Sequence, residues 1–221
     1  MDKKVNQMQL IDIQESFPST PRVNNKLTDE QKMEKIEHNF KEIMETLGLD
    51  LSDDSLMDTP RRVAKMYVKE ICKGLSDENF PNITCVENKF GSQMVTEANI
   101  TLNSLCEHHF VTICGYAHIS YIPGNKVIGL SKMNRLVEYF GSRPQVQERL
   151  TEQIMKSMQS LLGIEDVAVV IDGVHFCVRA RGIKDSSSVT RTLALGGAFK
   201  NDIATRSEFM SSIPSIADFK L

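Results

Sequence analysis

Over residues 94–122 the chain drops helical spacing and alternates. Val111, Ile113, Ala117, Ile119 and Tyr121 fall on one parity, and Thr112, Cys114, His118 and Ser120 on the other. Successive side chains of a strand point to opposite faces, so this alternation calls for a sheet with one apolar face. Gly115 lies inside the pattern and is expected to bend or bulge it. Helical spacing stands on both sides. Thr28 and Gln31 have capping-box spacing, and Met33, Ile36, Phe40, Ile43, Met44 and Leu47 then recur at three- and four-residue steps before Gly48. A second helix opens at Thr59 and Pro60 and closes near Gly74, with Val63, Met66, Tyr67 and Ile71 on its apolar face.

After a turn at Gly124 and Asn125, Ser131 caps a helix carrying Met133, Leu136, Val137 and Phe140, and a longer helix spans about 144–162 with Gly163 as its stop. Residues 167–171 read as a strand, Asp172-Gly173 as a hairpin signal, and 174–181 and 189–195 as further strands. A short helix is expected over 201–213. This order predicts an α+β fold, an antiparallel sheet with helices packed on one face.

Residues 1–26 are polar and aperiodic, and are expected to form a flexible extension or a weakly docked arm. Residues 27–221 then make a single domain: helices over 28–74, a sheet-and-helix core over 94–200, and the short C-terminal helix. A core of this size buries roughly 70% of the unfolded chain's surface, so neither disulfides nor a metal is needed merely to fold. With 26 basic against 29 acidic residues and a net charge of -3, a general electrostatic hold on nucleic acid is not expected. No stretch approaches the roughly 18 apolar residues of a membrane span, and the first residues lack a signal peptide's apolar core, which points to the cytoplasm. In that reducing setting five scattered cysteines read as thiols or metal ligands.

The sharpest chemical signal is Cys106-Glu107-His108-His109, because the two-residue gap between Cys106 and His109 lets one turn offer a thiolate and an imidazole to a single zinc ion. A second comes from the strand expected over 174–181, which would put His175, Cys177, Arg179 and Arg181 on one face. Such a face is poor core material but a good wall for a site that binds a metal and an anion. Cys106, His109 and Cys177 would make a three-ligand site with a fourth position open to water, the coordination of catalytic zinc. Its rival is a closed structural site completed by Cys72, Cys85 or Cys114. His108 and His175 become unligated imidazoles suited to moving protons, whereas His38 and His118 read as ordinary polar-face residues. Ser131, Lys132 and Arg135 at a helix start resemble a phosphate site. Arg61, Arg62 and Lys65 open another helix, where cations oppose the dipole unless an anion recruits them. Gln147-Glu148 offers acceptors that suit the N1-H and 2-amino donors of guanine.

With LMDTPRRVAKMY, CEHHF, IGLSKMNR, RPQVQERL, VHFCVRARGI and SSVTRTLALGGAF in this order, the sequence resembles GTP cyclohydrolase I of the bacterial type from about residue 27 to 200. The resemblance implies the tunnelling fold and conversion of GTP and water to 7,8-dihydroneopterin triphosphate and formate, the entry to tetrahydrofolate and related pterins. It implies zinc on Cys106, His109 and Cys177, with His108 and His175 as catalytic imidazoles. Arg62, Lys65, Ser131, Lys132, Arg135 and Arg181 would hold the triphosphate, and Gln147 and Glu148 the guanine. It also implies a homodecamer with active sites shared between subunits. Two other classes compete with this reading. A zinc nucleobase deaminase would need an H-x-E and P-C-x-x-C signature that the chain lacks, and a non-catalytic zinc-stabilised module would need a fourth protein ligand.

Overall fold

The computed structural model describes residues 20–23 and 25–220, and most of the expected extension over 1–26 lies outside them. Within that arm Thr20 is buried and its hydroxyl donates to the Pro144 carbonyl (3.3 Å), while Arg22 pairs with Asp77 at 3.0 Å.

Helix α1 (Asp29–Thr46) starts with the anticipated reciprocal cap: Thr28 Oγ1 accepts from Gln31 N–H (3.2 Å) and Gln31 Oε1 from Thr28 N–H (2.9 Å). Helix α2 (Thr59–Lys65) is capped one residue earlier than expected, at Asp58, with Pro60 buried in its first turn. It does not continue as one α-helix to Gly74. Over Met66–Ile71 it widens into a π turn that ends with Cys72 N–H bonded to the Tyr67 carbonyl, five residues back.

The sheet is built from β2 (Val95–Cys106), β3 (Thr112–Tyr121), β6 (Val167–His175) and β7 (Thr190–Leu195), all antiparallel, with the short β5 (Pro144–Gln145) parallel to β2 at one edge. β1 (Cys85–Glu87) and β4 (Lys126–Ile128) pair apart from it. Helices α3 (Leu130–Gly141) and α4 (Gln147–Leu162) pack on one face, enclosing a core that includes Leu102, Ile119, Leu136, Leu150, Ile154 and Val169. The short C-terminal helices α6 (Gly197–Asn201) and α7 (Ile203–Ser212) cover part of the opposite face, where Phe199 and Phe209 meet Ala168 and Val170. The expected α+β architecture is therefore present, with a smaller layer of helices on the second face.

Four local expectations change. Gly115 is not a bend: it pairs with Gly173 across β3 and β6, and a Cβ there would lie 1.8 Å from the Asp172 carbonyl oxygen. The irregularity falls instead between Glu97 and Ile100, with Asn99 at φ +60°. Asp172-Gly173 is no hairpin, because β6 runs straight through with β3 on one side and β7 on the other. Asp172 tolerates this buried position because Arg191 grips its carboxylate with two bonds, at 2.6 and 2.7 Å, and His118 Nε2 lies 3.5 Å away. His118 is thus fully buried, not a polar-face residue, and its Nδ1 accepts the Asn99 N–H that the bulge frees. Helix starts also shift. Gly129, not Ser131, caps α3, and Val146 precedes α4 because Pro144 and Gln145 pair with β2.

Candidate metal centre and its surroundings

β2 ends at Cys106, and the chain reverses over the next four residues. Cys106 N–H donates to the Val111 carbonyl (2.8 Å), Phe110 N–H to the Cys106 carbonyl (2.9 Å), and Phe110 adopts φ +53°. This turn carries both Cys106, which is buried, and His109, which is exposed. Cys177 comes from elsewhere. After His175 the chain leaves β6 and coils into a single helical turn, α5 (Phe176–Arg179), closed by Ala180 N–H on the Phe176 carbonyl (3.0 Å). The strand expected over 174–181 therefore stops at His175, and Cys177, Arg179 and Arg181 are not an alternating face. What delivers Cys177 is the helical turn.

The Cys106, His109 and Cys177 ligand atoms lie within 4.8 Å of one another. Zinc bonds of roughly 2.3 Å to sulfur and 2.0 Å to nitrogen set tetrahedral ligands about 3.5–3.8 Å apart, so the donor set fits that ion. Electrostatics agree. Burial, and then the adjacent Cys106 sulfur, push the Cys177 thiol up, and a cation between two sulfurs relieves that opposition. The other thiols are occupied elsewhere: Cys85 donates to the Leu161 carbonyl, Cys114 to Asn103 Oδ1, and burial pushes Cys72 to about 11. Among the described residues the cluster has three protein ligands.

Two imidazoles flank it. His108 Nδ1 lies 3.8 Å from the Cys106 sulfur on the exposed side. His175 is half-buried, its Nε2 2.8 Å from Gln147 Oε1. The Gln147 amide nitrogen is committed to the Ile171 and Thr190 carbonyls (3.0 and 2.9 Å) and to Thr192 Oγ1 (3.2 Å). Its oxygen must therefore face His175, which donates from Nε2 and keeps Nδ1 free. Burial lowers the His175 pKa, with Glu148 opposing and His108 adding to the effect. Gln147, expected at the guanine, has a side chain that is 1% exposed and braces His175.

Glu148 is exposed in the first turn of α4 and close enough to influence His175. The next residue, Arg149, makes a two-pronged pair with Glu107 at 2.7 and 3.4 Å. Arg149 holds the Glu107 carboxyl below its usual range against the effect of burial, with His108 contributing. Neither residue was singled out in the sequence, although Glu107 sits inside the metal motif and Arg149 beside the proposed base reader. Arg181 acts electrostatically on Cys177. Ser131, Lys132 and Arg135 lie along the start of α3, and Lys65 and Arg62 on α2, where Arg62 pairs with Asp58 at 3.3 Å, both exposed. Helix α2 packs against α1. Among the described residues no hydrogen bond or ion pair links these five to the Cys-His-Cys cluster.

The sequence model of the GTP cyclohydrolase I family matches residues 36–214. The chain is 57% identical over 195 residues to a GTP cyclohydrolase 1 of Aeromonas salmonicida (strain A449), covering 88% of this chain and 89% of the relative. It is 56% identical over 200 residues to one of Shewanella sp. (strain ANA-3), covering 90% and 93%, and 56% identical over 195 residues to one of Vibrio vulnificus (strain YJ016), covering 88% and 90%.

Proposed function

Since the chain belongs to the GTP cyclohydrolase I family, we propose that it carries out the opening step of folate pterin synthesis, GTP and water to 7,8-dihydroneopterin triphosphate and formate, at a zinc centre on Cys106, His109 and Cys177. The observation that carries this is the convergence of three soft and imidazole donors from two separate turns. Bound zinc would supply Lewis-acid activation of a water molecule for attack on purine C8.

The remaining work falls to the chain. His175, with Nε2 tied to Gln147, presents Nδ1 as its working nitrogen and protonates purine N7, which makes C8 more electrophilic. Its burial makes the imidazolium a stronger acid, which favours giving that proton away. His108, exposed beside the cluster, moves protons as the ring opens and formate departs. Glu148 accepts from N1-H and the 2-amino group, and Gln147 serves that reading only by holding His175. The triphosphate is held by Arg62, Lys65, Ser131, Lys132, Arg135 and Arg181. Arg62 and Lys65 lie on a helix packed against α1 and make no hydrogen bond or ion pair to the cluster among the described residues, which fits a site completed by a neighbouring subunit, in keeping with a homodecamer. All five cysteines are free thiols, and no helix among the described residues is long and apolar enough to cross a membrane. We place the reaction in the cytoplasm, where thiol ligands stay reduced.

Incubation of purified protein with GTP, following formate and the pterin chromophore while zinc is assayed, tests this directly. About one zinc per chain, lost with activity in Cys106→Ser, is expected. Release of ammonia in place of formate would sink the reading in favour of a deaminase, and full zinc with normal turnover in Cys106→Ser would sink the ligand set.

A further inference from the structure

The first turn of α4 bonds to both chain segments that carry the metal cluster. Successive helical residues are about 100° apart, so positions 147, 148 and 149 fan out in three directions. Gln147 points to β6 and β7 and holds His175, two residues before Cys177. Arg149 points to the β2–β3 turn and holds Glu107, which lies between Cys106 and the two histidines. Glu148 projects between them into solvent. The same turn is secured once more where Glu107 N–H donates to the Gln145 carbonyl (3.1 Å), just ahead of α4.

We propose that Arg149, acting through Glu107, is a positioning residue for the metal-binding turn, and that the start of α4 holds Cys106 and His109 in register with Cys177. The inference rests on the reading that these three residues bind zinc. Besides this pair, the β2–β3 turn is held by its backbone bonds and by the Tyr67 ring against Phe110 (6.3 Å between centroids), and its His109 side is open to solvent. A planar guanidinium gripping the carboxylate with two prongs fixes orientation as well as distance, which a single ammonium contact does not. The pair is mostly shielded, with 16% of the Arg149 side chain and 25% of the Glu107 side chain exposed, so solvent screens it less than an ordinary surface pair. A turn ordered before the ion arrives binds more tightly, because less freedom is lost on binding.

Zinc affinity, measured by competition with a chromogenic chelator on the full-length protein, tests the tether without relying on turnover. Arg149→Met and Glu107→Gln are each expected to weaken zinc binding about tenfold or more. The double variant should be no weaker than the worse single one, since both remove one interaction, and Arg149→Lys should recover part of the loss. Circular dichroism should stay near wild type. If Arg149→Met does not fold, Glu107→Gln decides alone. Zinc affinity within twofold of wild type in these variants, alongside zinc loss in Cys106→Ser, would overturn the tether and leave the zinc centre standing. Wild-type protein that binds no zinc, or Cys106→Ser that keeps it, would overturn both.

Discussion

The catalytic role proposed for His175 depends on which ring nitrogen carries a proton at rest, and the Gln147 amide decides it, because that amide's nitrogen is already bound to two strand carbonyls. His175→Ala is expected to keep zinc while turnover falls by roughly 100-fold or more, the scale of a lost general acid; zinc content falling in step with activity would make His175 a ligand. Glu148 is tested by discrimination. Inosine triphosphate keeps N1-H but lacks the 2-amino donor, so the enzyme should prefer GTP, and each charge-assisted bond to the carboxylate is worth about 1.5–3 kcal/mol. Glu148→Gln keeps the shape but turns an acceptor into a donor aimed at a donor, and should bind GTP poorly with little of that preference. Unchanged GTP binding and discrimination would mean that the base is read elsewhere.

At the scale of elements, β6 lies so close to β3 at Gly115 that there is no room for another carbon there. A Cβ on Gly115 would meet the Asp172 carbonyl oxygen at 1.8 Å and Gly173 Cα at 2.9 Å, both backbone, so relief requires moving a central strand. Gly115→Ala should therefore cost about 3 kcal/mol, lowering Tm by roughly 6–12 °C. Gly129→Ala, whose added carbon would meet only Lys132 Cγ at 3.6 Å, serves as the control and should melt near wild type. Element type followed local pattern where one rule applied: the Thr28 capping box and the Gly163 stop, at φ +68°, stand where spacing put them. It misled where two patterns overlapped. Asp172-Gly173 has hairpin composition, yet pairing on both sides and the half-buried Arg191 guanidinium on Asp172 keep β6 straight.

Across the molecule, the Asp172 network joins β3, β6 and β7 to the C-terminal segment, since Arg191 also donates to the Pro214 carbonyl (3.0 Å). Burial raises the Asp172 pKa, but Arg191 and then His118 outweigh it, and the net shift is downward. A carboxyl with a lowered folded pKa adds stability that is complete above its unfolded value, about 3.9, and is lost as pH falls through the folded one. Acid unfolding followed by circular dichroism should show that loss below about pH 4. Asp172→Asn, which leaves Arg191 without its counter-charge, should reduce stability at pH 7 by about 3 kcal/mol and flatten that acid limb; an unchanged limb would assign it to other carboxylates. The donor set of Cys106, His109 and Cys177 that the structure brings together, and the α+β class, were legible in the sequence alone, because they depend on residue type and short-range period. How Cys177 reaches Cys106, how Gln147 comes to brace His175, and which cation grips Glu107 depend on contacts between segments far apart in the chain. No local pattern encodes those contacts, since strand register and helix packing set them only once the whole sheet has assembled.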